Sequence, residues 1–293
     1  MTEKVLVLSD EGAQASASHC AGLNGWAFGR MAVHRFPDGE VKVRLPPNLP
    51  EHVVIWQSLN QPNDKLVTLM LAARTARQLG ARELTLVAPY MAYMRQDMAF
   101  EPGEAVSQRI VGDWLASLFD RVVTIDPHLH RVHDLQEAIP VAKAIALSGA
   151  PLLAGHIASR LEDPVIVGPD EESAQWVAQA AQSRAWASWV CTKVRRGDRD
   201  VTIDLPAGIA VAGRDVVLMD DVASSGRTLV VAASLLLAAG ARQVDVAVTH
   251  ALFAGNALEL LKQAGVANVW STDAVPHATN VVSVASMVAE SLR

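Results

Sequence analysis

Short apolar runs rich in Val and Ile recur along the chain: KVLVL (4–8), HVVIW (52–56), ELTLVAPY (83–90), RVVTI (121–125), PVIVG (164–168), DVVLM (215–219) and QVDVAVTH (243–250). Longer Ala- and Leu-rich stretches such as DKLVTLMLAARTARQLG (64–80) separate them. Apolar runs of about 4–8 residues have strand length, and the longer stretches have helix length. Their alternation predicts an α/β fold with mainly parallel sheets flanked by helices.

The two halves of the chain are alike. LVTLMLAARTARQLGARELTLVAPYM (66–91) and LVVAASLLLAAGARQVDVAVTHALF (229–253) each run through a helix-like stretch, a Gly-Ala-Arg triplet (80–82 and 240–242) and a strand-like run. A Gly that caps a helix before a strand recurs in any α/β protein. Its matching position in each half favours two similar domains, and 293 residues that are 51% hydrophobic are long for one core. Gly and Pro interrupt the pattern at SGAPLLAG (148–155), so the expected domains are residues 1–147 and 148–293.

Composition narrows the partners. A net charge of -6 disfavours a nucleic-acid surface but leaves room for a small anion held locally. Cys20 and Cys191 are the only cysteines and form no CxxC pair, so neither a disulfide framework nor a four-cysteine zinc site is supported. MTEKVLVLSD is too short and too charged for a signal peptide, and no uninterrupted apolar run reaches about 18 residues. The expectation is a soluble cytoplasmic protein with no membrane or nucleic-acid partner. GxxxxGK[ST], GxGxxG and GxSxG are absent, which argues against a Walker-type kinase, a dinucleotide oxidoreductase and a serine nucleophile elbow.

The chemistry concentrates in DVVLMDDVASSGRTL (215–229). A strand over 215–219 delivers Asp220 and Asp221 to the carboxyl edge of a sheet, where open α/β folds bind ligands. Adjacent strand residues point to opposite sides, so at least one acid faces the crevice. Ala223, Ser224, Ser225, Gly226 and Thr228 follow, small residues whose backbone N–H groups can converge on an anion at the positive end of the helix TLVVAASLLLAAG. Two carboxylates repel phosphate but suit sugar hydroxyls or a divalent cation. Phosphate plus polyol is the implied ligand; the plainer reading is an Asp cap in an Asp-Ser-Gly turn.

This loop resembles the phosphoribosyl pyrophosphate (PRPP) loop of type I phosphoribosyltransferases and PRPP synthetases. FPDGE (36–40), PYMAYMRQD (89–97), GEAVS (103–107), TIDPHLHR (124–131), VGPDEES (167–173) and TKVRR (192–196) stand in the order of the corresponding segments of ribose-phosphate pyrophosphokinases. Over nearly its whole length the chain is similar to that family, most of all to its archaeal-like branch. The resemblance implies two tandem phosphoribosyltransferase-like domains, an ATP side followed by a ribose 5-phosphate side, and transfer of pyrophosphate from ATP to ribose 5-phosphate. It implies that Phe36, Asp38, Glu40, Arg95, Gln96 and Asp97 bind ATP, and that Lys193 and Arg195 stabilise the transferring phosphates from a flexible loop. Asp220 and Asp221 would hold the ribose hydroxyls, and Ser224, Ser225, Gly226 and Thr228 the 5-phosphate. His128 and Asp170 would bind Mg²⁺, with His130 an alternative to His128. FPDGE in the family reaches the ATP site of a neighbouring subunit, which implies a homodimer or larger homo-oligomer.

The chain also departs from the family. Met98, Ala99, Phe100 and Glu101 replace basic residues, and Glu171 and Glu172 replace a Gly-rich continuation. Arg227 returns one positive charge, and nothing supports ADP-type allosteric control. Three other readings compete: a phosphoribosyltransferase using the 220–228 loop, a weakly active regulatory paralogue, and a transition-metal hydrolase built on Asp126, His128, His130, His133 and Asp134, whose spacing fits no zinc motif.

Overall fold

A computed structural model describes residues 4–129, 131–132, 134–196 and 200–293, with the backbone alone for 194–196 and 200–202. The chain divides into two units. Unit 1 comprises residues 1–147 together with 283–293, and unit 2 comprises 148–282.

Unit 1 carries strands β1 (Val5–Ser9), β2 (Ala27–Arg30), β3 (Ala32–Arg35), β4 (Val41–Arg44), β5 (His52–Trp56), β6 (Glu83–Ala88), β7 (Arg121–Ile125) and β8 (Lys143–Leu147). Its main sheet is parallel throughout, in the order β2-β1-β5-β6-β7-β8, and β3 and β4 form a separate antiparallel hairpin. Unit 2 carries β9 (Val165–Gly168), β10 (Ser188–Val190), β11 (Thr192–Arg196), β12 (Asp200–Asp204), β13 (Asp215–Ala223), β14 (Gln243–Ala251), β15 (Val269–Thr272) and β16 (Asn280–Val282). Its parallel order, β10-β9-β13-β14-β15-β16, repeats that of unit 1, and the hairpin β11–β12 falls at the same point in the chain path.

The helices are α1 (Gln14–Leu23), α2 (Pro62–Gln78), α3 (Ser107–Ala116), α4 (Leu135–Ala138), α5 (Ala150–Ala158), α6 (Ala174–Arg184), α7 (Arg227–Ala238), α8 (Ala257–Gln263) and α9 (Ala285–Ser291). In unit 2 the two-residue period of a strand sorts the core. Val216 and Leu218 of β13 pack with Leu229 and Leu236 of α7, while Val217 and Met219 face Leu153 of α5 and Val177 of α6. Each such side chain contributes about 1.5–3 kcal/mol by leaving water, so a strand covered on both faces reads as an unbroken apolar run.

The Gly-Ala-Arg triplets do the same work in both units. Gly80 (φ 100°) and Gly240 (φ 90°) turn the chain left-handed after α2 and α7. Ala81 N then donates to Ala76 O (3.0 Å) and Ala241 N to Leu236 O (3.1 Å), closing both helices alike before β6 and β14.

Two features differ from the sequence expectation. β13 continues through Asp220 and Asp221 to Ala223, because the nine-residue β14 offers it a partner that far, with Asp220 opposite Val248 and Ala223 opposite Ala251. Residues 283–293 belong to unit 1, not to the second domain: α9 packs on α1 and β8. It buries Ala285, Val288 and Ala289, and Arg293 Nε donates to Asn24 Oδ1 at 2.8 Å.

Gly112 of α3 sits so close to α4 that a Cβ there would overlap the carbonyl oxygen of Ala138. Gly112→Ala is therefore expected to cost about 3 kcal/mol, read as a lower urea midpoint with an unchanged slope.

Candidate active site

In each sheet the chain leaves the first strand on one side and returns on the other, so β1/β5 and β9/β13 are topological switch points, whose carboxyl ends open a crevice. The acids singled out in the sequence stand at the second of these. Asp221 is buried, 2% exposed, while Asp220 is half-buried and accepts the Asp221 N–H on Oδ1 at 3.0 Å. The turn that follows is tied to the segment after β14: Phe253 N donates to Ala223 O at 2.9 Å and Ala254 N to Ser224 O at 2.9 Å. Gly226 precedes α7 with φ 69°, a left-handed conformation that a side chain would strain. The hydroxyls of Ser224, Ser225 and Thr228 take no protein partner among the described residues.

Asp170 follows β9 by two residues and is buried. It caps a 3₁₀ turn, accepting from Glu172 N at 3.2 Å, and its carbonyl accepts from Ser173 Oγ at 2.5 Å. A Cβ on Gly168 would collide with that serine hydroxyl. Lys193 of β11 places Nζ 3.2 Å from Asp170 Oδ2, and its backbone N–H donates to Glu171 Oε2 at 3.2 Å. Glu171, which reads in the sequence as a foreign acid, thus holds the hairpin's backbone.

Crowding sets the electrostatics. Burial, then the neighbouring Asp221 and Asp170, push the Asp220 carboxyl well above the usual carboxylate range. Burial, helped by Asp170 and Glu171, lifts the Cys191 thiol to about 11, which leaves it protonated and unreactive at neutral pH.

The matching corner of unit 1 is filled by its own chain. Asp10 caps a 3₁₀ turn as Asp170 does, accepting from Ala13 N at 3.2 Å. The segment after β5 is closed by Lys65, whose Nζ donates to Ser58 O (2.7 Å) and Asn60 Oδ1 (2.6 Å). Burial lowers the Lys65 pKa, with Asp10 opposing the shift.

The residues expected on the ATP side lie in two places. Phe36, Asp38 and Glu40 form the exposed turn of the β3–β4 hairpin, where Phe36 N donates to Glu40 O (2.8 Å) and Glu40 N to Asp38 Oδ1 (3.1 Å). Arg95, Gln96 and Asp97 follow β6: Arg95 is exposed, Gln96 donates to Glu104 Oε2 at 3.2 Å, and the Asp97 side chain is buried against Arg131. These two groups make no hydrogen bond or ion pair with each other among the described residues. His128 follows β7, just past Asp126, which holds a left-handed φ of 38° directly before Pro127. That conformation is strained for any residue before a proline.

His130 and His133 lie outside the described residues, as does the side chain of Arg195. Asp134 is a helix cap, accepting from Gln136 N at 3.0 Å. Among the described residues no three His, Cys, Asp or Glu are gathered to hold a metal, and the five-residue cluster of the hydrolase reading lies partly outside them. Sequence reasoning missed Asp10, Lys65 and Arg131. The likeness of SDEGA (9–13) to PDEES (169–173) carried the only signal for Asp10.

Comparison with known proteins agrees with this layout. A model of the N-terminal domain of ribose phosphate pyrophosphokinase matches residues 5–118, and a phosphoribosyl transferase domain model matches 136–286. A ribose-phosphate pyrophosphokinase of Halobacterium salinarum is 34% identical over 290 residues, covering 98% of this chain and 100% of the relative. One from Methanopyrus kandleri is 39% identical over 261 residues, 88% of each chain. The fold matches the crystal structure of a phosphoribosylpyrophosphate synthetase from Mycobacterium smegmatis at a TM-score of 0.82, over 99% of this chain and 98% of that one, with 22% identity.

A raised carboxyl favours the protonated folded state, so this group's contribution to stability is greatest below the ordinary carboxylate pKa and is lost as pH rises through the folded value. Asp220→Asn should accordingly raise the melting temperature by a few degrees at neutral pH, with the gain shrinking toward about pH 4; calorimetry across that range checks it.

Proposed function

Because the chain belongs to the ribose-phosphate pyrophosphokinase family, we infer that it transfers pyrophosphate from ATP to the C1 hydroxyl of ribose 5-phosphate, giving PRPP and AMP. The observation that carries this reading is the β9/β13 edge, where a paired acid, a small-residue turn heading α7 and a lysine on Asp170 stand together.

The roles follow from the chemistry. The N–H groups and free hydroxyls of Ser224, Ser225, Gly226 and Thr228 donate to the 5-phosphate at the positive end of α7. Asp220 and Asp221 accept hydrogen bonds from the vicinal ribose hydroxyls, which both binds the sugar and fixes the direction of its C1 hydroxyl. Lys193, with Arg195 two residues along β11, stabilises charge on the transferring phosphate oxygens, the main demand of phosphoryl chemistry. ATP binds through unit 1, by the Phe36–Asp38–Glu40 turn and the Arg95–Gln96–Asp97 segment.

Mg²⁺ fits the oxygen donors of Asp170, beside the crowded carboxylates of Asp220 and Asp221, whose charge a hard divalent cation nearby would offset; such an ion needs few protein ligands where substrate phosphates and water supply the rest. Asp170 would hold such an ion on unit 2, and on unit 1 the residue that would ligate Mg²⁺ is His128. When bound, the ion neutralises donor phosphate oxygens. The chain acts as a homodimer or larger homo-oligomer, a reading supported by the exposed hairpin turn and its exposed Val33 and Phe36. It acts in the cytoplasm, consistent with two buried cysteines left unpaired.

Purified protein given ATP, ribose 5-phosphate and Mg²⁺ is expected to release AMP and PRPP in equal amounts; no turnover with any of several nucleotide donors would sink the reading. Lys193→Ala should lower kcat by about 10²–10³ with ribose 5-phosphate binding nearly intact. Equal losses in turnover and sugar binding would contradict the role given to Lys193.

A further inference from the structure

At the carboxyl edge of unit 1, one acid joins the segments that follow β6 and β7. The Asp97 side chain is 1% exposed, and a single residue engages both of its oxygens: Arg131 N donates to Oδ2 at 3.2 Å and Arg131 Nη1 to Oδ1 at 2.8 Å. The Arg131 side chain itself is 59% exposed. An exposed ion pair contributes little stability, and burying one of its partners adds a desolvation cost. What the arrangement secures is orientation. One nitrogen of the guanidinium is pinned from behind, the remaining donors take no partner among the described residues, and Asp97 lies buried behind the exposed guanidinium.

The charge around it gives that orientation a use. The described arginines in the segments after β6 and β7 are Arg95 and Arg131, while residues 98–104 contribute Glu101 and Glu104 and no cation. Lys65, at the neighbouring strand end, is consumed by Ser58 and Asn60. We propose that Arg131 binds the polyphosphate of the nucleotide donor and that Asp97 is its positioning residue. Planar guanidinium donors match phosphate oxygens in pairs, which a lysine ammonium cannot do. The proposal rests on unit 1 as the ATP side, and it moves Asp97 from direct contact with ATP to the orientation of the group that makes the contact.

Arg131→Gln removes the charge and retains an amide that can still donate to Asp97. Calorimetric titration of the full chain with ATP and, separately, with adenosine should show ATP binding weakened about tenfold or more, adenosine binding unchanged, and the KM for ribose 5-phosphate unchanged. Arg131→Lys, which keeps the charge but loses the paired donors, should bind ATP less tightly than wild type and more tightly than the Gln variant while still preferring ATP to adenosine, and it serves as the test if the Gln variant does not fold. ATP binding unaffected by the Gln variant, equal losses for ATP and adenosine, or a Lys variant that loses its preference for ATP over adenosine would each overturn the proposal. Wild-type protein that makes no PRPP while these binding differences hold would count against the catalytic reading and not against Arg131.

Discussion

A strand covered by helices on both faces can meet solvent only at its ends, and this restriction governs where chemistry sits in the chain. β5, β6 and β9 are each buried along nearly their whole length, and β13 is buried from Val216 through Met219. Polar function is therefore displaced to their carboxyl ends, and the order of strands decides which ends adjoin. Because β9 and β13 are neighbours, Asp170 adds its charge to the surroundings of Asp220 although the two lie far apart in the sequence. The cost is a corner with more negative charge than it can comfortably ionise, relieved in part by Lys193.

Duplication sets up two such corners, and side chains make them different. Asp10 and Asp170 cap equivalent turns after equivalent strands. In unit 1 a lysine from α2 reaches back into the segment after β5; in unit 2 the corresponding turn is Ser224, Ser225 and Gly226, and its two serine hydroxyls take no protein partner among the described residues. An open small-residue turn and a corner plugged by an ammonium group thus share one backbone plan.

Much of the fold was legible because buried parallel strands announce themselves as apolar runs and their helices as longer periodic stretches. The Gly-Ala-Arg triplets were legible as well, since left-handed closure of a helix demands glycine. The length of β13 was harder to read: Asp220 and Asp221 look like a stop signal, yet pairing with β14 carries the strand past them. The placement of α9 left no local trace, because an apolar helix face does not say which sheet it will cover. At the candidate site, Asp220, Asp221 and the small-residue turn were conspicuous as a contiguous motif. The ties of Lys193 to Asp170 and of Asp97 to Arg131, 23 and 34 residues apart, depend on which strand ends lie together and were invisible until the sheet order was known.

The return of the C-terminal segment to unit 1 bears on the order in which the protein can be completed. Asn24 and Ala289 share a hydrogen bond across 265 positions, so the sheet that begins at Val5 lacks α9 until all of unit 2 has been made. Unit 2, encoded without interruption from 148 to 282, can close before unit 1 does, although it is synthesised later. As domains tend to fold as units during synthesis, the half of the molecule translated first is the half finished last, and it waits with the flank meant for α9 uncovered.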